Sequence, residues 1–235
     1  MLQHAGCEPP GVYEQVLRER GVPLRRVLLD EQPVPSDWRP AAALLVMGGA
    51  MGAYEEDRYP WLLAERRLIA AAVAAGLPYW GVCLGAQLLA ASLGARVRRG
   101  PAPELGVMSV SLTAAGAEDP VFAAAPSTFA TLQWHGDTYE LPAGAVQLAR
   151  SAMYEQQAFR IGRAYAVQFH LEADTALARR WMEVPDYVEE VVRIAGAQAP
   201  RRLVQEVDRA QGESVPLARE LFGRWLRDVA QLPAS

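Results

Sequence analysis

The sequence predicts an α/β fold with a mixed sheet, followed by a helical C-terminal extension. In the first half, apolar runs of strand length at 41–47 and 78–82 alternate with helical patterns at 61–75 and 84–93. This alternation is typical of successive βα units. In the second half, short strand-like runs are separated by Pro and Gly, which predicts antiparallel strands. From residue 174 onward, apolar residues recur at loosely helical spacings among many charges.

Residues that begin or end helices support these boundaries. Pro60 suits the start of the first of these helices, and Gly76 and Gly94 suit the ends of both. We find no internal repeat, low-complexity tract or linker that would divide the chain. We therefore expect a single domain over 1–235, with 174–235 as its helical extension. The four strand-like runs of the second half are 106–113, 128–134, 145–151 and 163–169.

Composition excludes several classes of protein. With 51% apolar and 21% charged residues over 235 positions, the chain can bury a full core, which excludes disordered and fibrous classes. A formal net charge of -4 gives no reason to expect a nucleic acid partner. No apolar run is long enough for a membrane-spanning helix, because Arg66, Arg67 and Gly76 interrupt the richest stretch.

Cysteine usage and the first residues bear on the compartment. The two cysteines, Cys7 and Cys83, are too few for a disulfide framework. The opening residues, 1–4, do not form a charged-then-apolar leader. We therefore expect a reduced, cytoplasmic protein without a membrane partner.

One cysteine stands between two glycines, where a strand pattern gives way to a helix pattern. The motif is Gly81-x-Cys83-x-Gly85-x-Gln87. A tight turn at this point demands backbone angles that side chains resist, so the glycines indicate a nucleophile elbow that exposes the thiol. The N-terminus of the next helix would favour the thiolate and offer the Leu84 N–H to an oxyanion. Cysteine statistics alone would favour a small buried apolar residue, and the flanking glycines reverse that preference.

A thiol nucleophile needs a base, and the chain has three histidines. His170 ends the apolar strand pattern at 166–169, and Glu172 can accept its Nδ1 proton and fix the tautomer. The alternative is that His170 is structural and Glu172 is a solvated charge. Pairing with an elbow cysteine favours a catalytic set of Cys83, His170 and Glu172.

Two further segments follow predicted strands. Gly48 and Gly49 come after an apolar strand, and the Gly49 N–H is the best candidate for a second oxyanion donor. This glycine run is not a phosphate loop, because the chain contains no lysine. The segment 133–137 mixes a large aromatic with polar groups, which suits a loop beside a substrate. His135 and Asp137 alone cannot supply the three or four ligands of a metal site, so no metal is expected.

Together these segments resemble the class I glutamine amidotransferase family, in particular the glutaminase domain of GMP synthase and its stand-alone relatives. The resemblance covers roughly residues 2–172. It rests mainly on the elbow motif combined with His170-x-Glu172. Supporting elements are Gly48-Gly49, Glu55-Glu56-Asp57-x-Tyr59-Pro60-Trp61 and Trp134-His135-Gly136-Asp137.

The resemblance implies a doubly wound, flavodoxin-like fold with a mostly parallel sheet flanked by helices. It implies that Cys83 attacks the side-chain amide of glutamine, giving a γ-glutamyl thioester and ammonia, and that His170 then activates water. By the same resemblance, the Gly49 and Leu84 N–H groups form the oxyanion hole, and no cofactor is required. Substrate contacts are implied for Gly48, Gln87, Gln133, Trp134 and His135.

Departures from the family pattern point to a stand-alone relative. Many relatives have Pro where this chain has Ala50 and Leu171, although neither change removes a catalytic group. No pyrophosphatase motif follows the matching region, so the ammonia acceptor is not encoded in this chain. A synthetase partner that accepts ammonia and a homodimer both remain open.

Three alternatives to a glutaminase also remain open. The same chemistry would hydrolyse other γ-glutamyl amides or peptides if the leaving-group pocket were roomier, and the C-terminal helices could shape such a pocket. The chain could also be a non-catalytic regulatory module. A redox sensor built on an oxidisable Cys83 is the third alternative, although it would not need the His170-x-Glu172 pair.

Overall fold

The computed structural model describes residues 1–232, and one mixed sheet of nine strands runs through them. In chain order the strands are β1 (Leu2–Gln3), β2 (Val27–Leu28), β3 (Leu44–Val46), β4 (Tyr79–Val82), β5 (Val97–Leu112), β6 (Thr128–Tyr139), β7 (Val146–Arg150), β8 (Ala158–Ile161) and β9 (Ala164–Val167). Side by side they lie in the order β2-β1-β3-β4-β9-β8-β7-β5-β6.

The sheet has a parallel part and an antiparallel part. Strands β2, β1, β3, β4 and β9 run parallel to one another, and every later pairing in the order is antiparallel. Parallel registers such as Val46 opposite Gly81 and Val82 opposite Val167 bring the carboxyl ends of β3, β4 and β9 to one edge. In an open α/β sheet this edge is where ligands bind.

Helices cover both faces of the sheet. They are α1 (Val12–Glu19), α2 (Trp61–Ala74), α3 (Leu84–Ser92), α4 (Ala114–Glu118), α5 (Thr175–Trp181), α6 (Pro185–Ala195) and α7 (Ala199–Arg224). A 3₁₀ turn spans Phe122–Ala124, and a π-helical turn at Trp225–Val229 follows α7.

Two apolar clusters fill the space between the sheet and these helices. On one face, Tyr13 of α1 and Phe222 of α7 pack against Trp80 of β4. On the other face, Ile69 of α2 and Leu88 of α3 belong to a cluster built on β1, β3 and β4. Helices on both faces of a partly parallel sheet confirm the doubly wound α/β fold.

Several predicted boundaries are confirmed. Pro60 is the residue before the first turn of α2, and Gly76, with φ of 78°, follows the end of α2. Gly94, with φ of 84°, follows α3 in the same way. At these two positions the chain takes up the left-handed conformation that glycine adopts without steric cost.

Other elements were not predicted. Helix α1 follows a Glu-Pro-Pro-Gly segment that looks like a turn, and α4 and β8 are too short to show a period. Strand β5 begins at Val97 rather than near residue 106, and β6 continues to Tyr139. The early part of β5 is largely exposed and its register shifts between Arg99 and Glu104, so it lacks the alternation of a half-buried strand.

The C-terminal extension is helical, as predicted, through the described residues. Helices α5, α6 and α7 enclose a third apolar cluster, and residues 233–235 lie outside the described part of the chain. Helix α7 also reaches the main core through Leu221 and Phe222. Within residues 1–232, no helix combines the length and the apolar character needed to cross a membrane.

Candidate active site

Cys83 lies at the turn between β4 and α3, at the carboxyl edge of the sheet. Its φ of 50° and ψ of -105° lie outside the regions that side chains prefer. The backbone N–H of Cys83 donates to the carbonyl of Val167 at 2.8 Å, so the pairing of β4 with β9 holds the turn in place. Cys83 is the residue before the first turn of α3, and the positive end of that helix faces it.

The two flanking glycines, Gly81 and Gly85, allow neighbouring backbone segments to pack closely. A methyl group on Gly85 would lie 2.2 Å from the carbonyl oxygen of Val46, and one on Gly81 would lie 2.7 Å from that of Gly85. Neither glycine has a positive φ, and the unusual backbone angle falls on Cys83 itself. The glycines therefore allow α3 to begin in direct contact with β3 and β4. The sequence predicted instead that the glycines themselves adopt backbone angles that side chains resist.

His170 and Glu172 lie just after the end of β9, the strand that pairs with β4. Nδ1 of His170 and Oε1 of Glu172 are 2.7 Å apart, and both side chains are buried. The backbone N–H of His170 donates to the carbonyl of Leu132 at 2.8 Å, and Trp181 packs edge-on against the imidazole. The backbone bond fixes the position of the residue, and the contacts with Glu172 and Trp181 fix its ring.

The charge state of His170 reflects its neighbours. Burial alone would lower the pKa of His170, but the Glu172 carboxylate and the Cys83 sulfur outweigh burial and raise the pKa well above its ordinary value. Cys83 and His170 also line the same cavity, so the two side chains face a common space. A cysteine and a histidine in this relation can exchange a proton.

A cavity of about 480 Å³ opens over Cys83 and His170. Of the other residues singled out in the sequence, Gly49, Gln87, Trp134 and His135 line this cavity. Its volume falls within the range of small-molecule sites.

The other candidate residues lie just behind the cavity wall. The backbone of Leu84 begins α3, and a methyl group on Gly49 would lie 2.8 Å from the Leu84 side chain, so the two segments are neighbours. The side chain of Gln133 is buried and donates to Gln157 at 3.0 Å. Within residues 1–232, Gly48, Leu84, Gln133 and Glu172 are not among the residues that line the cavity.

A chain of buried amides reaches the sulfur and was missed in the sequence. Nε2 of Gln168 donates to Sγ of Cys83 at 3.5 Å, and Nε2 of Gln87 donates to Oε1 of Gln168 at 3.2 Å. Gln168 is completely buried at the end of β9. The sequence signal for this role was a single amide directly after an apolar strand. A polar side chain that is buried there needs a hydrogen-bond partner.

Each of the three histidines contacts a buried glutamate. His4 lies 3.0 Å from Glu65, and His135 lies 3.1 Å from Glu104. Nδ1 of His4 also contacts the carbonyl of Gly48, and Nδ1 of His135 contacts that of Asp137. Both ring nitrogens of these two histidines are therefore occupied within the protein. His170 differs, because within residues 1–232 only its Nδ1 has a hydrogen-bond partner and the residue shares a cavity with Cys83.

The C-terminal helices supply part of the cavity wall. Tyr187 of α6 donates from its hydroxyl to Oε1 of Glu8 at 2.5 Å, and Trp181 of α5 donates from Nε1 to the carbonyl of Cys7 at 2.9 Å. The two bonds tie α5 and α6 to the loop after β1. Trp181, Tyr187, Glu190, Arg193 and Ile194 all line the cavity.

Glu8 is a carboxyl group in the cavity that the sequence did not reveal. It is 9% exposed and lines the same cavity as Cys83 and His170. Burial raises its pKa, and this effect outweighs the opposing hydrogen bond from Tyr187 and the nearby histidines. The turn-like sequence around Glu8 gave no sign of this role, because the partners of the loop come from the other end of the chain.

Comparison with known protein families identifies the region that contains the site. Residues 12–182 match the family described as "Glutamine amidotransferase class-I". The matching region includes Cys83, His170 and Glu172, and it ends at the close of α5. Helices α6 and α7 lie beyond it.

Relatives of three kinds share sequence with the chain. The glutamine amidotransferase-like protein YfeJ of Salmonella typhimurium is 33% identical over 72% of this chain and 73% of its own length. GMP synthase of Thermomicrobium roseum is 33% identical over 68% of this chain but only 29% of its own length. The γ-glutamyl-L-1-hydroxyisopropylamide hydrolase of a Pseudomonas species is 28% identical over 71% of this chain and 60% of its own length.

Solved structures resemble the whole fold. A glutamine amidotransferase from Thermotoga maritima superposes with a TM-score of 0.87 at 32% identity, over 96% of both chains. A glutamine amidotransferase from Methylobacillus flagellatus gives the same TM-score of 0.87 at 27% identity, over 97% of this chain and 93% of its own. On the family match and these similarities, the chain belongs to the class I glutamine amidotransferase family.

Proposed function

We propose that the chain hydrolyses the side-chain amide of glutamine through a γ-glutamyl thioester on Cys83, giving glutamate and ammonia. One observation carries the proposal: a cysteine with a strained backbone at a helix N-terminus shares a cavity with a histidine that a buried glutamate orients. This arrangement of nucleophile, base and orienting group is the general form of a catalytic triad.

In the first half of the proposed reaction, His170 takes the thiol proton as Sγ of Cys83 attacks the amide carbon. The carbonyl oxygen becomes an oxyanion, which the N–H groups of Gly49 and Leu84 stabilise. The C–N bond then breaks, and His170 returns its proton to the nitrogen, which leaves as ammonia. The acyl group stays on Cys83 as a thioester.

In the second half, His170 acts as a base towards water. The water oxygen attacks the thioester carbon, and the C–S bond breaks as His170 passes the proton to the sulfur. Glutamate leaves and the thiol is restored. Glu172 stabilises the imidazolium in both halves without gaining a proton, and neither half requires a cofactor.

The cavity lining suggests how the substrate is held. Gln87 and Trp134 line the cavity beside Cys83, and the carbonyl of Trp134 lies 3.8 Å from Sγ. We assign Gln87 and the backbone of 133–135 to the amino acid end of the substrate. Gly48 shapes the wall behind Gly49.

A second candidate is hydrolysis of larger γ-glutamyl amides. Helix α6 lines the cavity with Tyr187, Glu190 and Arg193, so the C-terminal helices form part of the site. Because α6 closes this side of the cavity, the site is better suited to bind the leaving group of a γ-glutamyl amide than to dock a synthetase. The similarity to a γ-glutamyl-amide hydrolase from Pseudomonas supports this candidate.

A synthetase partner is the third element of the proposal. Relatives named as GMP synthase extend far beyond the matching part, whereas YfeJ matches over most of its length. We propose that ammonia, where it is the product, passes to an acceptor on another chain. We also propose that residues 1–235 form one domain. Such a domain can act alone or as a homodimer.

The decisive experiment is a product assay on the purified chain. Ammonia and glutamate release would be measured from L-glutamine and from a panel of γ-glutamyl amides, with Cys83→Ala as the control. Release from glutamine that disappears in Cys83→Ala supports the glutaminase. Turnover of another γ-glutamyl amide alone supports the second candidate, and turnover of none by the isolated chain contradicts both in favour of a non-catalytic or partner-dependent module.

A further inference from the structure

We propose that Glu8 recognises the leaving nitrogen of the scissile amide, with its Oε2 accepting a hydrogen bond from the N–H of that nitrogen. Glu8 would thereby select amides over esters and orient the nitrogen that His170 must protonate. The inference rests on the function proposed above, because it assumes that Cys83 cleaves a γ-glutamyl amide.

The position of Glu8 is fixed from two sides. Its Oε1 accepts the hydroxyl of Tyr187 at 2.5 Å, which anchors the carboxyl group to α6. A methyl group on Gly48 would lie 2.4 Å from Oε2 of Glu8 and 3.4 Å from Cε1 of His170. The carboxyl group and the imidazole therefore flank the same point of the backbone, next to Gly49.

Oε2 of Glu8 has capacity for a ligand. Within residues 1–232, no protein donor contacts this oxygen, although the side chain is 9% exposed and faces the cavity. Two of the three other carboxyl groups in the cavity wall have a partner: Glu55 accepts the N–H of Gly52, and Glu190 pairs with Arg193. A carboxyl oxygen at the cavity wall without a protein donor is free to accept a hydrogen bond from a ligand.

The geometry of the reaction places the leaving nitrogen near this oxygen. Nδ1 of His170 is bound to Glu172, so Nε2 is the nitrogen that can protonate the leaving group. The carbonyl oxygen of the amide points towards Gly49 and Leu84 in the proposed reaction. The nitrogen must then lie on the His170 side of the carbon, which is the side that Glu8 flanks, and it is the only hydrogen-bond donor in the scissile group.

The test compares two substrates with the same acyl group. One is L-glutamine, or the γ-glutamyl amide that the wild-type chain prefers, and the other is the γ-methyl ester of glutamate, whose leaving oxygen carries no N–H. In Glu8→Gln, Tyr187 holds the amide oxygen, so an NH₂ group faces the substrate nitrogen. We expect kcat/KM for the amide to fall about 10- to 100-fold, the usual scale for a hydrogen bond to a charged group, and that for the ester to change less than about threefold.

Two further variants control for folding and for charge. Tyr187→Phe keeps the carboxyl group but removes its anchor, so it should show a smaller loss confined to the amide. Glu118→Gln removes an exposed carboxylate on α4 and should leave both substrates unchanged.

The outcomes separate this inference from the proposed function. Equal losses of amide and ester activity in Glu8→Gln would overturn the inference, since they indicate a structural role or contact with the acyl group. Unchanged amide activity would overturn it as well. Both of these results leave the proposed function standing, whereas a wild-type chain inactive on amide and ester alike would overturn the proposed function and this inference with it.

Discussion

Nδ1 of His170 donates to Oε1 of Glu172 at 2.7 Å, across a single intervening residue at the end of β9. Residues two apart in extended backbone point to the same side, so the pair is formed by the local chain alone. The bond leaves Nε2 of His170 as the ring nitrogen available for proton transfer in the cavity that Cys83 also lines. The tautomer and the orientation of the imidazole follow from this one contact.

Replacing Glu172 by Gln should therefore impair catalysis more than binding. The amide keeps the volume of the carboxyl group but no longer balances the charge of an imidazolium. We expect kcat to fall about 10²- to 10⁴-fold, with a much smaller change in KM. Steady-state kinetics on the preferred γ-glutamyl substrate measures this, with Glu118→Gln as a control, and a kcat within about twofold of wild type would refute the assignment.

Gly48→Ala should displace Glu8, while its methyl group makes only an ordinary van der Waals contact, at 3.4 Å, with Cε1 of His170 in the proposed triad. The added methyl group would lie 2.4 Å from Oε2 of Glu8, so the carboxyl group must move away from the site. We predict a loss of amide hydrolysis that resembles that of Glu8→Gln. The double variant should lose little more than either single variant, because both remove the same contact. Fully additive losses in the double variant would contradict this account.

Gln168→Met should slow the reaction of Cys83 with a neutral alkylating agent. The amide of Gln168 donates to Sγ of Cys83, whereas Met fills a similar volume without a donor. The rate of modification by iodoacetamide at neutral pH should fall several-fold in the variant. Gln157→Met, which alters a neighbouring buried amide without contact to the sulfur, is the matched control. Equal rates in wild type and Gln168→Met would argue that the amide has no influence on the thiol.

His4 should contribute to stability in a pH-dependent way. Burial alone would lower the pKa of His4, but the Glu65 carboxylate outweighs burial and the pKa is raised. In the unfolded chain the pKa of a histidine is about 6.5. The stabilising contribution of the pair is therefore complete below that pH and declines as pH rises through the higher folded pKa.

His4→Gln tests this dependence. Removing one partner of a buried ion pair costs about 3–5 kcal/mol, and the loss of Tm should be larger at about pH 6 than at about pH 9. Thermal unfolding at both pH values, with Glu118→Gln as a control for general charge effects, provides the measurement. A Tm loss that is the same at both pH values would mean that His4 is not protonated in the folded protein.

The parts of the site that the sequence predicted depend on local geometry. The strand, turn and helix around Cys83 follow from two glycines, and the His170-x-Glu172 pair follows from a strand end. Both features need only neighbouring residues, so spacing reveals them. Even there, the structure assigns the glycines to close contact with Val46 and Gly85 rather than to unusual backbone angles of their own.

The parts that the sequence did not predict depend on distant contacts. Glu8 and Tyr187 are 179 residues apart in the chain, and nothing in either local sequence indicates the other. The helix pattern of 12–19 was hidden by the preceding turn-like segment, which itself turns out to carry Glu8 into the site. The helical extension was predicted as helix, but its part in the cavity wall emerges only from tertiary packing.

The central claim is a γ-glutamyl thioester on Cys83, and mass spectrometry of the protein during turnover tests it most directly. Wild-type protein mixed with its γ-glutamyl substrate would be quenched in acid, digested and searched for modified peptides. We predict one γ-glutamyl group on the peptide that contains Cys83, removable by neutral hydroxylamine, and no modification in Cys83→Ala. Steady turnover without any such adduct, together with activity that survives in Cys83→Ala, would contradict the claim.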